Sequence, residues 1–562
     1  MSIKPTVKFG IMVKGDHLPL WQHNSIIKLL EIEGVKLELI IYDKNPGGLK
    51  HQIKNFLSWK TVSWFIFLFL KSKFSKANKS VDSKALFNEV SSIDCTTINK
   101  GKFSQYFKDE DLEVIKNKDL DFIMRFGFNI IRGEIHKVTK HGIWSFHHDD
   151  EDEFRGGPPG FWEIYYKKAT TGSILQRLND KLDAGTVLKK GHFKTIPNYI
   201  KNRDNTYLES ASWPALVVKE IIANPSFVTS KVKSQTKAPI FFAPGNGKFL
   251  IFLMRSTSLK VKSFLKTLFY IDVWNIGVWD KPIEMCLTEE VKNINWFPLD
   301  KKSFVADPFG EEIDEKLNIF YEKFPFGSDK GILETIEYNP TKKTWGKSNT
   351  IIDESHHLSY PFILEDDNTK YIIPESYEDN NINLYEAESY PLVWNKKQPI
   401  IKDVQGIDNT IIKYNNKFWL FNTEKDNQPR QNLNIYFSDS IQGQWNPHPL
   451  NPVKTDIRSA RSAGTIFESD SVLYRPSMDY SKKIEGSITV NKIITLSETQ
   501  YNESPVKIID ALKSELKYND KIHTISKVGN YTVIDGCKEQ FIFKHPRYFI
   551  HQLKLILNFL KK

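Results

Sequence analysis

Apolar runs alternate with helical periodicity along roughly the first 235 residues. Lys8 to Lys14 and Lys36 to Tyr42 have the apolar character of buried strands, and Trp21 to Leu30 between them has the spacing of a helix. This order of strand, helix and strand is typical of an open parallel sheet. The pattern predicts an α/β domain over residues 1–235.

The same order returns before residue 150. Asp121 to Arg125 and Gly142 to Phe146 are strand-like, and Arg132 to Lys140 between them is helix-like. Ligands of open α/β sheets bind at the carboxyl ends of the strands. We therefore expect binding residues at Arg125, where one strand ends, and in the polar segment that follows Phe146.

Four tryptophans recur at nearly constant spacing in the second half of the chain. Trp296, Trp345, Trp394 and Trp445 lie 49, 49 and 51 residues apart, and short apolar strands separated by turn residues follow each of them. A period near 50 residues built from short strands is typical of a β-propeller. The pattern predicts five blades over residues 275–540, after an interdomain segment at 236–274.

Composition and charge narrow the class of protein. Of the 562 residues, 40% are hydrophobic and 26% are charged, which excludes a disordered chain. The three cysteines form no CxxC pair, so neither a disulfide framework nor a cysteine zinc site is predicted. The net charge is +10, but no nucleic-acid motif accompanies it, so we expect no nucleic-acid partner. The amino terminus has no secretory apolar region, which predicts a cytoplasmic protein.

Two segments combine apolar residues with lysine. Val62 to Leu70 is continuously apolar and is flanked by lysines within 56–79, and residues 546–562 predict a basic amphipathic helix at the end of the chain, 541–562. Nine apolar residues are too few to span a bilayer, which needs roughly 20. Either segment suits peripheral contact with an anionic membrane, at the inner face for a cytoplasmic protein. A core or interdomain helix is the favoured alternative for each.

The densest polar cluster, Ser145 to Gly157, follows a predicted strand. His147 at the strand end has the character of a general base or a metal ligand. Leu182-Asp183-Ala184-Gly185 lies further along the chain and has the form of a turn. A carboxylate there would orient the imidazole and stabilise its protonated form.

These residues resemble the formyltransferase family, whose pattern is Asn-x-His, then Arg-Gly, then Leu-Asp-x-Gly. His147, Asp183 and Arg155-Gly156 take the positions of the family's histidine, aspartate and Arg-Gly, and Ser145 stands where the family has its asparagine. The resemblance implies that His147, Asp183 and Ser145 are catalytic. It further implies a ligand-binding group that consists of Arg125, His148, Asp149, Arg155, Gly156 and Gly185.

The chemistry implied by the resemblance is one-carbon acyl transfer. An amine attacks the formyl carbon of a 10-formyltetrahydrofolate-like donor, His147 takes the amine proton and Asp183 supports the imidazolium. No metal is predicted. Serine donates one hydrogen bond and is shorter than asparagine, so oxyanion stabilisation is expected to be weaker or to come from backbone N–H groups. The acidic residues from His148 to Glu153 form a solvated loop, contact an amine or sugar, or ligate a metal, in that order of preference.

Several segments of the second half resemble another family. FVADPFG at Phe304, HHLSYPF at His356, YIIPES at Tyr371, GIDNTI at Gly406 and RSARSAG at Arg458 resemble the amino-terminal domain of glucosamine inositolphosphorylceramide transferases, which is itself similar to five-bladed furanosidase propellers. Asp307 and Asp408 fall at equivalent places in that pattern, with Tyr360 at the place between them. The resemblance implies a carbohydrate-binding funnel that contains Asp307, His357, Glu375, Asp408 and Arg461. A glycoside-active site and a purely structural propeller are the alternatives.

The function predicted from these patterns is formyl transfer to an amino group of a sugar or glycan intermediate, with the propeller binding carbohydrate. Two alternatives remain open. One is an acyl hydrolase or deformylase of the same fold. The other is a non-catalytic glycan-binding scaffold in cell-envelope polysaccharide synthesis, which the serine at position 145 motivates.

Overall fold

The computed structural model describes residues 6–45, 59–101, 104–180, 185–231, 233–482, 486–511 and 517–560. The chain divides into two compact units, Met1–Val261 and Lys262–Lys562. Each unit is described by itself below.

The first unit is built around a mixed sheet of seven strands. Its described strands are β1 (Val7–Val13), β2 (His17–Pro19), β3 (Val35–Asp43), β4 (Ser80–Asp82), β5 (Ser91–Cys95), β6 (Ile98–Lys100), β7 (Ser104–Tyr106), β8 (Phe122–Arg125), β9 (Ile130–Arg132), β10 (Ile143–His147), β11 (Arg155–Gly156), β12 (Thr170–Arg177), β13 (Thr186–Lys194) and β14 (Ile240–Phe241). The large sheet has the order β13-β12-β10-β8-β1-β3-β5. The last five strands of this order are parallel, and β12 and β13 are antiparallel additions.

Helices cover this sheet. The described helices are α1 (Leu20–Leu30), α2 (Val62–Lys71), α3 (Lys84–Phe87), α4 (Asp109–Lys116), α5 (Phe161–Tyr165), α6 (Tyr199–Ser210), α7 (Trp213–Ala223), α8 (Phe227–Ser230) and α9 (Asn246–Phe269), which spans the boundary between the units. One face of the sheet packs Phe9, Phe122 and Trp144 against apolar residues of α1 and α7. This core fixes the strand ends at which Arg125 and His147 lie.

In the first unit the four predicted strands and the first predicted helix agree with the structure to within one or two residues. The second predicted helix does not. The segment Arg132 to Lys140, predicted as a helix, has only a short 3₁₀ helix, Gly133–Lys137. Arg132 still belongs to β9, and Gly133 has a φ of +81°, so a regular helix cannot begin before it. The predicted interdomain segment 236–274 likewise contains β14, the long helix α9 and the start of the next strand.

The second unit consists mainly of antiparallel sheets. Its described strands are β15 (Tyr270–Trp279), β16 (Asn295–Trp296), β17 (Ser303–Ile313), β18 (Lys316–Pro325), β19 (Ile332–Asn339), β20 (Thr344–Trp345), β21 (Asn349–Ile352), β22 (Ser359–Asp366), β23 (Thr369–Glu375), β24 (Asn381–Ile382), β25 (Tyr385–Ser389), β26 (Val393–Lys396), β27 (Ile401–Lys402), β28 (Gly406–Tyr414), β29 (Lys417–Glu424), β30 (Asn432–Ser438), β31 (Asn446–Pro447), β32 (Lys454–Thr455), β33 (Phe467–Ser469), β34 (Val472–Asp479), β35 (Ser487–Leu496), β36 (Tyr501–Asp510), β37 (Ile525–Val528) and β38 (Tyr531–Phe541). Helix α10 (Pro546–Leu560) follows them, where the sequence predicts a helix.

Among the described residues these strands form five sheets of four or five strands and one two-stranded sheet. Four of the larger sheets are built from strands that are close in sequence, beginning at β17, β22, β28 and β33. The fifth combines the two ends of the unit, because β15 pairs with β38 along its whole length, from Tyr270–Phe541 to Trp279–Thr532.

The tryptophan period corresponds to a repeated place in these sheets. Trp296, Trp345 and Trp394 lie on the outermost strands β16, β20 and β26, and Trp445 immediately precedes the outermost strand β31. Each indole packs at the edge of its sheet, where a large apolar side chain covers the core from solvent. The period of the tryptophans is therefore the period of one sheet.

Candidate functional site

Arg125 and Ser145 meet where two parallel strands end. Arg125 is the last residue of β8, and the neighbouring strand β10 carries Ser145 and ends at His147. The Arg125 guanidinium donates two hydrogen bonds to the Ser145 hydroxyl oxygen, from Nε at 3.2 Å and from Nη2 at 3.0 Å. Its Nη1 donates to the carbonyl oxygen of Asn129 at 2.7 Å. Ser145 is only 2% exposed.

His147 ends β10 on the same side of the strand as Ser145, because alternate residues of a strand share a face. Its ring Nε2 lies 3.1 Å from the carbonyl oxygen of Phe154. A carbonyl oxygen only accepts hydrogen bonds, so Nε2 carries the hydrogen. In the neutral ring the basic lone pair is then on Nδ1, which is the nitrogen that takes up a proton.

Asp183 lies outside the described residues. Gly185, two positions later, is described, and its N–H donates to Gln176 Oε1 at 3.3 Å. Gln176 is the ladder partner of Ser145 across β10 and β12. A Cβ on Gly185 would lie 2.3 Å from the carbonyl oxygen of Arg177, so only glycine allows this approach. The glycine of the Leu-Asp-x-Gly segment is thus fixed beside the strand that neighbours β10.

The Arg-Gly pair has a packing role in the structure. Arg155 and Gly156 form the short strand β11, which pairs with Ile240 and Phe241 of β14. Arg155 Nε donates to the carbonyl oxygen of Ala238 at 2.7 Å. Gly156 has a φ of +88°, and a Cβ there would lie 2.2 Å from the carbonyl oxygen of Phe241. These contacts hold residues 238–241 against the segment that follows His147. The predicted role of Arg155 and Gly156 in ligand binding stays a prediction.

His148 lies in an aromatic cluster. Its ring stacks on Phe146 at 5.3 Å, lies 3.9 Å from the ring of Tyr207, and meets the edge of Trp21 at 5.1 Å. Nδ1 is 3.1 Å from the hydroxyl oxygen of Ser173. Burial, together with the nearby His147 and Arg203, holds the pKa of His148 well below its ordinary value. His148 is therefore a neutral, buried side chain, and its predicted role in ligand binding stays a prediction.

The acidic run after His148 is not the solvated loop that was favoured from the sequence. The carboxylate of Asp150 contacts Lys190 Nζ at 2.6 Å and His192 Nε2 at 2.9 Å. Lys190 also contacts Asp152 at 2.8 Å and the buried Glu151 at 3.2 Å. Burial alone would raise the pKa of Asp150, but its hydrogen bonds to His192 and Lys190 hold it below its ordinary value.

Asp150, Glu151 and Asp152 place ligand atoms close enough together to hold a metal ion. The ammonium group of Lys190 already lies among their carboxylates and supplies the positive charge there. Both Lys190 and His192 come from β13, two strands away from β10 in the sheet. Sequence composition could not reveal this pairing.

Asp149 and Glu163 form a buried carboxyl pair nearby. Asp149 is 2% exposed and accepts a hydrogen bond from the N–H of Gly160 at 2.8 Å. Burial raises the pKa of Glu163 to about 7. Asp149 is engaged inside the protein, and its predicted role in ligand binding stays a prediction.

In the second unit the predicted funnel residues lie at a repeated backbone bulge. Asp307, Tyr360 and Asp408 have φ values of +52°, +46° and +50° on β17, β22 and β28, the first strands of three successive sheets. The pairing register shifts at each of them. A left-handed conformation is uncommon for non-glycine residues and costs free energy, so its repetition marks a maintained feature of the fold. The three residues occupy equivalent positions, as their spacing predicts.

Asp307 belongs to a buried chain of ionisable groups. Its Oδ1 lies 3.1 Å from His523 Nε2, and His523 Nδ1 lies 2.8 Å from Asp535 Oδ2. Burial alone would lower the pKa of His523, but the two carboxylates raise it well above its ordinary value. Asp307, His523 and Asp535 also have ligand atoms close enough to bind a metal ion. In the arrangement seen here, the imidazolium supplies the positive charge between the carboxylates.

Asp408 is paired with Arg461. Arg461 Nε donates to Asp408 Oδ2, and Nη2 donates to Oδ1 at 3.2 Å. Glu375 lies 3.7 Å from Arg461, and its Oε2 accepts a hydrogen bond from the N–H of Asp408 at 3.2 Å. These contacts bring together three of the predicted funnel residues. Asp408 and Glu375 are buried, and Arg461 is partly accessible.

Tyr360, at the position equivalent to Asp307 and Asp408, contacts the segment that contains Gly464. Its hydroxyl oxygen accepts a hydrogen bond from the N–H of Gly464 at 2.7 Å and lies 2.8 Å from Thr410 Oγ1. Gly464 has a φ of +112°, and a Cβ there would collide with the carbonyl oxygen of Ile525. Tyr360 therefore ties together the first strands of two sheets and the segment before β33.

The remaining predicted funnel residue, His357, faces Glu322. His357 Nε2 lies 3.8 Å from Glu322 Oε1, and Nδ1 accepts a hydrogen bond from the N–H of Gly331 at 2.8 Å. Burial, followed by the charges of Asp307 and Glu375, raises the pKa of Glu322 well above its ordinary value. Glu322 is thus a neutral carboxylic acid beside ionised neighbours, an arrangement that separates acid and base roles in many enzymes.

The buried group of ionisable residues around Asp307 also includes Glu322, His523 and Asp535. The sequence analysis did not predict these three residues. Glu322 lies in β18, opposite Ala306 in the ladder, and Asp535 lies in β38 at the end of the unit. His523 precedes the short strand β37 and has no motif around it. A partial signal was available for Asp535, because a single acid interrupts the apolar run of its strand.

None of the helices in the described parts of the chain is long and apolar enough to cross a membrane.

The geometry defines a two-part chain. Its first part is an α/β unit with a histidine at the carboxyl end of a central strand. Its second part is a repeated β unit whose first strands meet at a buried, carboxyl-rich centre.

Comparisons with known proteins agree with this division. Residues 281–526 match the family model described as "Glucosamine inositolphosphorylceramide transferase 1, N-terminal". Glucosamine inositolphosphorylceramide transferase 1 of Arabidopsis thaliana is 34% identical over 216 residues, which are 36% of this chain and 27% of that protein. The methionyl-tRNA formyltransferase of Prochlorococcus marinus (strain AS9601) is 27% identical over 169 residues, 30% of this chain and 49% of that enzyme.

Among solved structures, a sugar N-formyltransferase from Shewanella sp. has 14% sequence identity and a TM-score of 0.26, and the match covers 44% of this chain and 87% of that chain. The chain spans about a quarter of the length of the plant relative and about half of that of the bacterial one. The resemblances to formyltransferases and to the amino-terminal domain of glucosamine inositolphosphorylceramide transferases are both confirmed.

Proposed function

We propose that the protein transfers a formyl group from a 10-formyltetrahydrofolate-like donor to an amino group of a sugar or glycan intermediate. In this proposal the first unit performs the transfer, and the second unit binds carbohydrate. The name of the bacterial relative supports the reaction, and the name of the plant relatives, which refers to glucosamine, supports a sugar as acceptor.

One observation carries the proposal. Arg125, Ser145 and His147 lie together at the carboxyl ends of two adjacent parallel strands, and Gly185 of the Leu-Asp-x-Gly segment is fixed opposite Ser145 through Gln176. Asp183 precedes Gly185 by two positions in the sequence, and we assign it to this site by the resemblance to formyltransferases. Ligands of open α/β sheets bind at such strand ends.

The reaction places one demand on His147. As the amine nitrogen bonds to the formyl carbon, it must lose a proton, and Nδ1 of His147 is the basic nitrogen that can take it. The bond between the formyl carbon and the donor nitrogen then breaks, and the proton passes from His147 to that departing nitrogen. Asp183 would stabilise the imidazolium that exists between these two steps.

The formyl oxygen becomes negatively charged during the attack, and it needs a hydrogen-bond donor or a positive charge. The Ser145 hydroxyl accepts two hydrogen bonds from the Arg125 guanidinium and donates its own hydrogen in a long bond, 3.4 Å, to the carbonyl oxygen of Phe146. In this proposal that long bond is exchanged for one to the formyl oxygen. The guanidinium also supplies a charge at the same strand end. We assign Arg125 and Ser145 jointly to the position that an asparagine holds in formyltransferases.

For the second unit we propose a five-bladed β-propeller whose central funnel binds carbohydrate. The pairing of β15 with β38 supports a ring closed by the two ends of the unit, and the contacts of Asp307 with Asp535 and of Tyr360 with Thr410 join different sheets. The charged side chains of the centre, with partly accessible Arg461 and His357, suit hydroxyl-rich ligands.

The decisive assay mixes the purified full chain with 10-formyltetrahydrofolate and a panel of nucleotide-linked and free amino sugars. We expect tetrahydrofolate release that depends on one of the amines, together with an acceptor product heavier by one carbonyl group. His147→Asn should abolish the reaction, whereas His551→Asn, a histidine of the second unit, should leave it unchanged. Donor turnover without any amine would instead identify the acyl hydrolase.

The burial of Ser145 favours a second candidate, a non-catalytic glycan-binding scaffold. A side chain 2% exposed and held by Arg125 has little access to a substrate carbonyl. This candidate predicts glycan binding by the full chain with neither folate binding nor turnover of any amine. Equilibrium dialysis with folinic acid and with the same sugars separates it from the enzyme.

A further inference from the structure

Two long stretches of the chain contain no acidic residue. Residues 44–81 carry eight lysines, and residues 221–271 carry seven lysines and one arginine, without an aspartate or glutamate in either. The first stretch contains α2, and the second contains α9. They lie far apart along the chain, so the sequence gives no reason to consider them together.

The structure packs the two helices against each other. Trp64 and Phe67 of α2 contact Phe249 of α9 at ring distances of 5.9 and 5.3 Å. The side chain of Asn246, at the start of α9, accepts a hydrogen bond from Ser63 Oγ at 2.8 Å and donates to the carbonyl oxygen of Trp59 at 2.6 Å. The two acid-free stretches therefore contribute to one surface of the first unit.

Each helix carries a second apolar stripe that faces solvent. On α2 the stripe consists of Ile66, Phe69 and Leu70, which are 45%, 77% and 55% exposed. On α9 the exposed residues that share one face by helical spacing are Leu250, Leu253, Met254 and Val261. The two ends of α2 add exposed Trp59 and Phe74. We call these apolar residues, with the lysines beside them, the α2–α9 surface.

A groove of about 340 Å³ lies between the two helices. Apolar side chains, among them Phe67, Phe74 and Phe252, form part of its wall. Lys71 of α2, Lys260 of α9 and Lys201 of α6 also line it. Among the described residues, those that line the groove include no acid. Such a groove matches a ligand that has both an anionic group and an apolar chain.

We propose that the α2–α9 surface binds the surface of an anionic phospholipid bilayer. The exposed aromatic and aliphatic side chains enter the headgroup region, and the lysines contact lipid phosphates, with one phospholipid headgroup in the groove. Charge complementarity selects this partner, because a surface with apolar stripes and only positive charges is what interfacial helices present to anionic lipids. The proposal is independent of formyl transfer and of carbohydrate binding.

Co-sedimentation of the full chain with vesicles tests the proposal. One set of vesicles contains phosphatidylcholine alone, and the other contains phosphatidylcholine mixed with phosphatidylglycerol. We expect binding to the mixed vesicles, at least tenfold weaker binding to phosphatidylcholine, and weakening by salt. Equal binding to both sets, or binding to neither, would overturn the proposal.

Two paired variants identify the surface. Phe69→Ser with Leu70→Ser should reduce binding to the mixed vesicles at least tenfold, and so should Lys71→Glu with Lys73→Glu. The matched controls lie on the second unit. Ile494→Ser with Ile508→Ser removes comparably exposed apolar side chains, and Lys301→Glu with Lys302→Glu reverses two exposed charges; both should bind as the wild type does.

Because the substituted side chains are exposed, we expect every variant to fold. Circular dichroism and thermal melting check this. The carboxyl-terminal helix is the competing element, since Ile550 and Leu553 on α10 are also exposed. If Ile550→Ser with Leu553→Ser removes vesicle binding and the α2 variants do not, the α2–α9 surface is not the docking site.

Discussion

The guanidinium of Arg125 is hydrogen-bonded through two nitrogens to the hydroxyl oxygen of Ser145. This contact joins the ends of β8 and β10. Its consequence is that neither residue can be changed without affecting the other.

Substitutions at Ser145 and Arg125 measure that dependence. We expect Ser145→Ala to lower kcat by about a hundred- to a thousandfold, the range for loss of one oxyanion donor. Arg125→Gln should lower it by a similar factor, and the double variant should be little worse than either single one, since the two groups act as a unit. Steady-state kinetics with the accepted amine checks this. Strictly multiplicative losses would show that the two residues act separately.

Ser145→Asn distinguishes the enzyme from the scaffold. If the serine belongs to a working site organised by Arg125, the longer asparagine should disturb that contact and lower kcat. A gain of transfer activity would mean that the site had decayed and was restored by the asparagine. Ser25→Asn, on helix α1, is the matched control, because it makes the same change of size at another buried serine.

Removal of the proposed acid-base groups should leave the fold intact. His147→Asn and Asp183→Asn are expected to lower kcat by about two to four powers of ten, as orienting carboxylates and general bases do. Near wild-type activity in both variants would contradict the assignment.

Glu163 should make the stability of the protein depend on pH. Its pKa is about 7 in the fold and 4.5 as an ordinary glutamate, so the folded chain binds more protons between these values. Stability is then full below about pH 4.5 and falls as pH rises to about 7, by about 3 kcal/mol in total for this group. Glu163→Gln should remove that part of the slope.

Urea unfolding of the wild type and Glu163→Gln at pH 5 and pH 8 checks this prediction. The wild type should lose more stability between the two conditions than the variant does. Glu153→Gln is the matched control, because Glu153 lies nearby in the sequence, is exposed and pairs with Lys168. An identical pH slope in all three proteins would contradict the raised pKa of Glu163.

The buried pair of Asp408 and Arg461 gives a prediction for the second unit. Arg461→Met should destabilise the unit by about 3–5 kcal/mol, because it leaves the carboxylate of Asp408 buried without its partner. Adding Asp408→Asn to that variant should recover part of the loss. A double-mutant cycle by thermal or urea unfolding measures the coupling. Additive losses would place the two side chains in independent environments.

Two groups of residues could be predicted from the sequence, for different reasons: those at the strand ends of the first unit, and those at equivalent positions in the sheets of the second unit. Strand ends follow from local apolar runs, so the positions of Arg125 and His147 were accessible. Asp307, Tyr360 and Asp408 were found equivalent because their segments resemble those of one family, and the structure gives each of them the same bulge. In both cases the residues on which the prediction depends lie within one segment of the chain or within one repeat.

Partners contributed by distant strands could not be predicted in this way. The acidic run after His148 has the composition of a solvated loop. Only the structure shows that Lys190 and His192 of β13, two strands away from β10, neutralise Asp150. His523 and Asp535 reach Asp307 from the opposite end of the second unit's sequence. The choice among such partners depends on which strands become neighbours, and no local pattern records it.

The pairing of β15 with β38 has a consequence for how the second unit is made. The ribosome releases β15 first among the strands of this unit and β38 last, so the edge of β15 that β38 later covers stays open throughout that interval. Closing so long a segment comes late in folding and is slow. The nascent chain therefore needs protection of one strand edge until its last strand emerges, and a truncation before Tyr531 would leave that edge permanently available for aggregation.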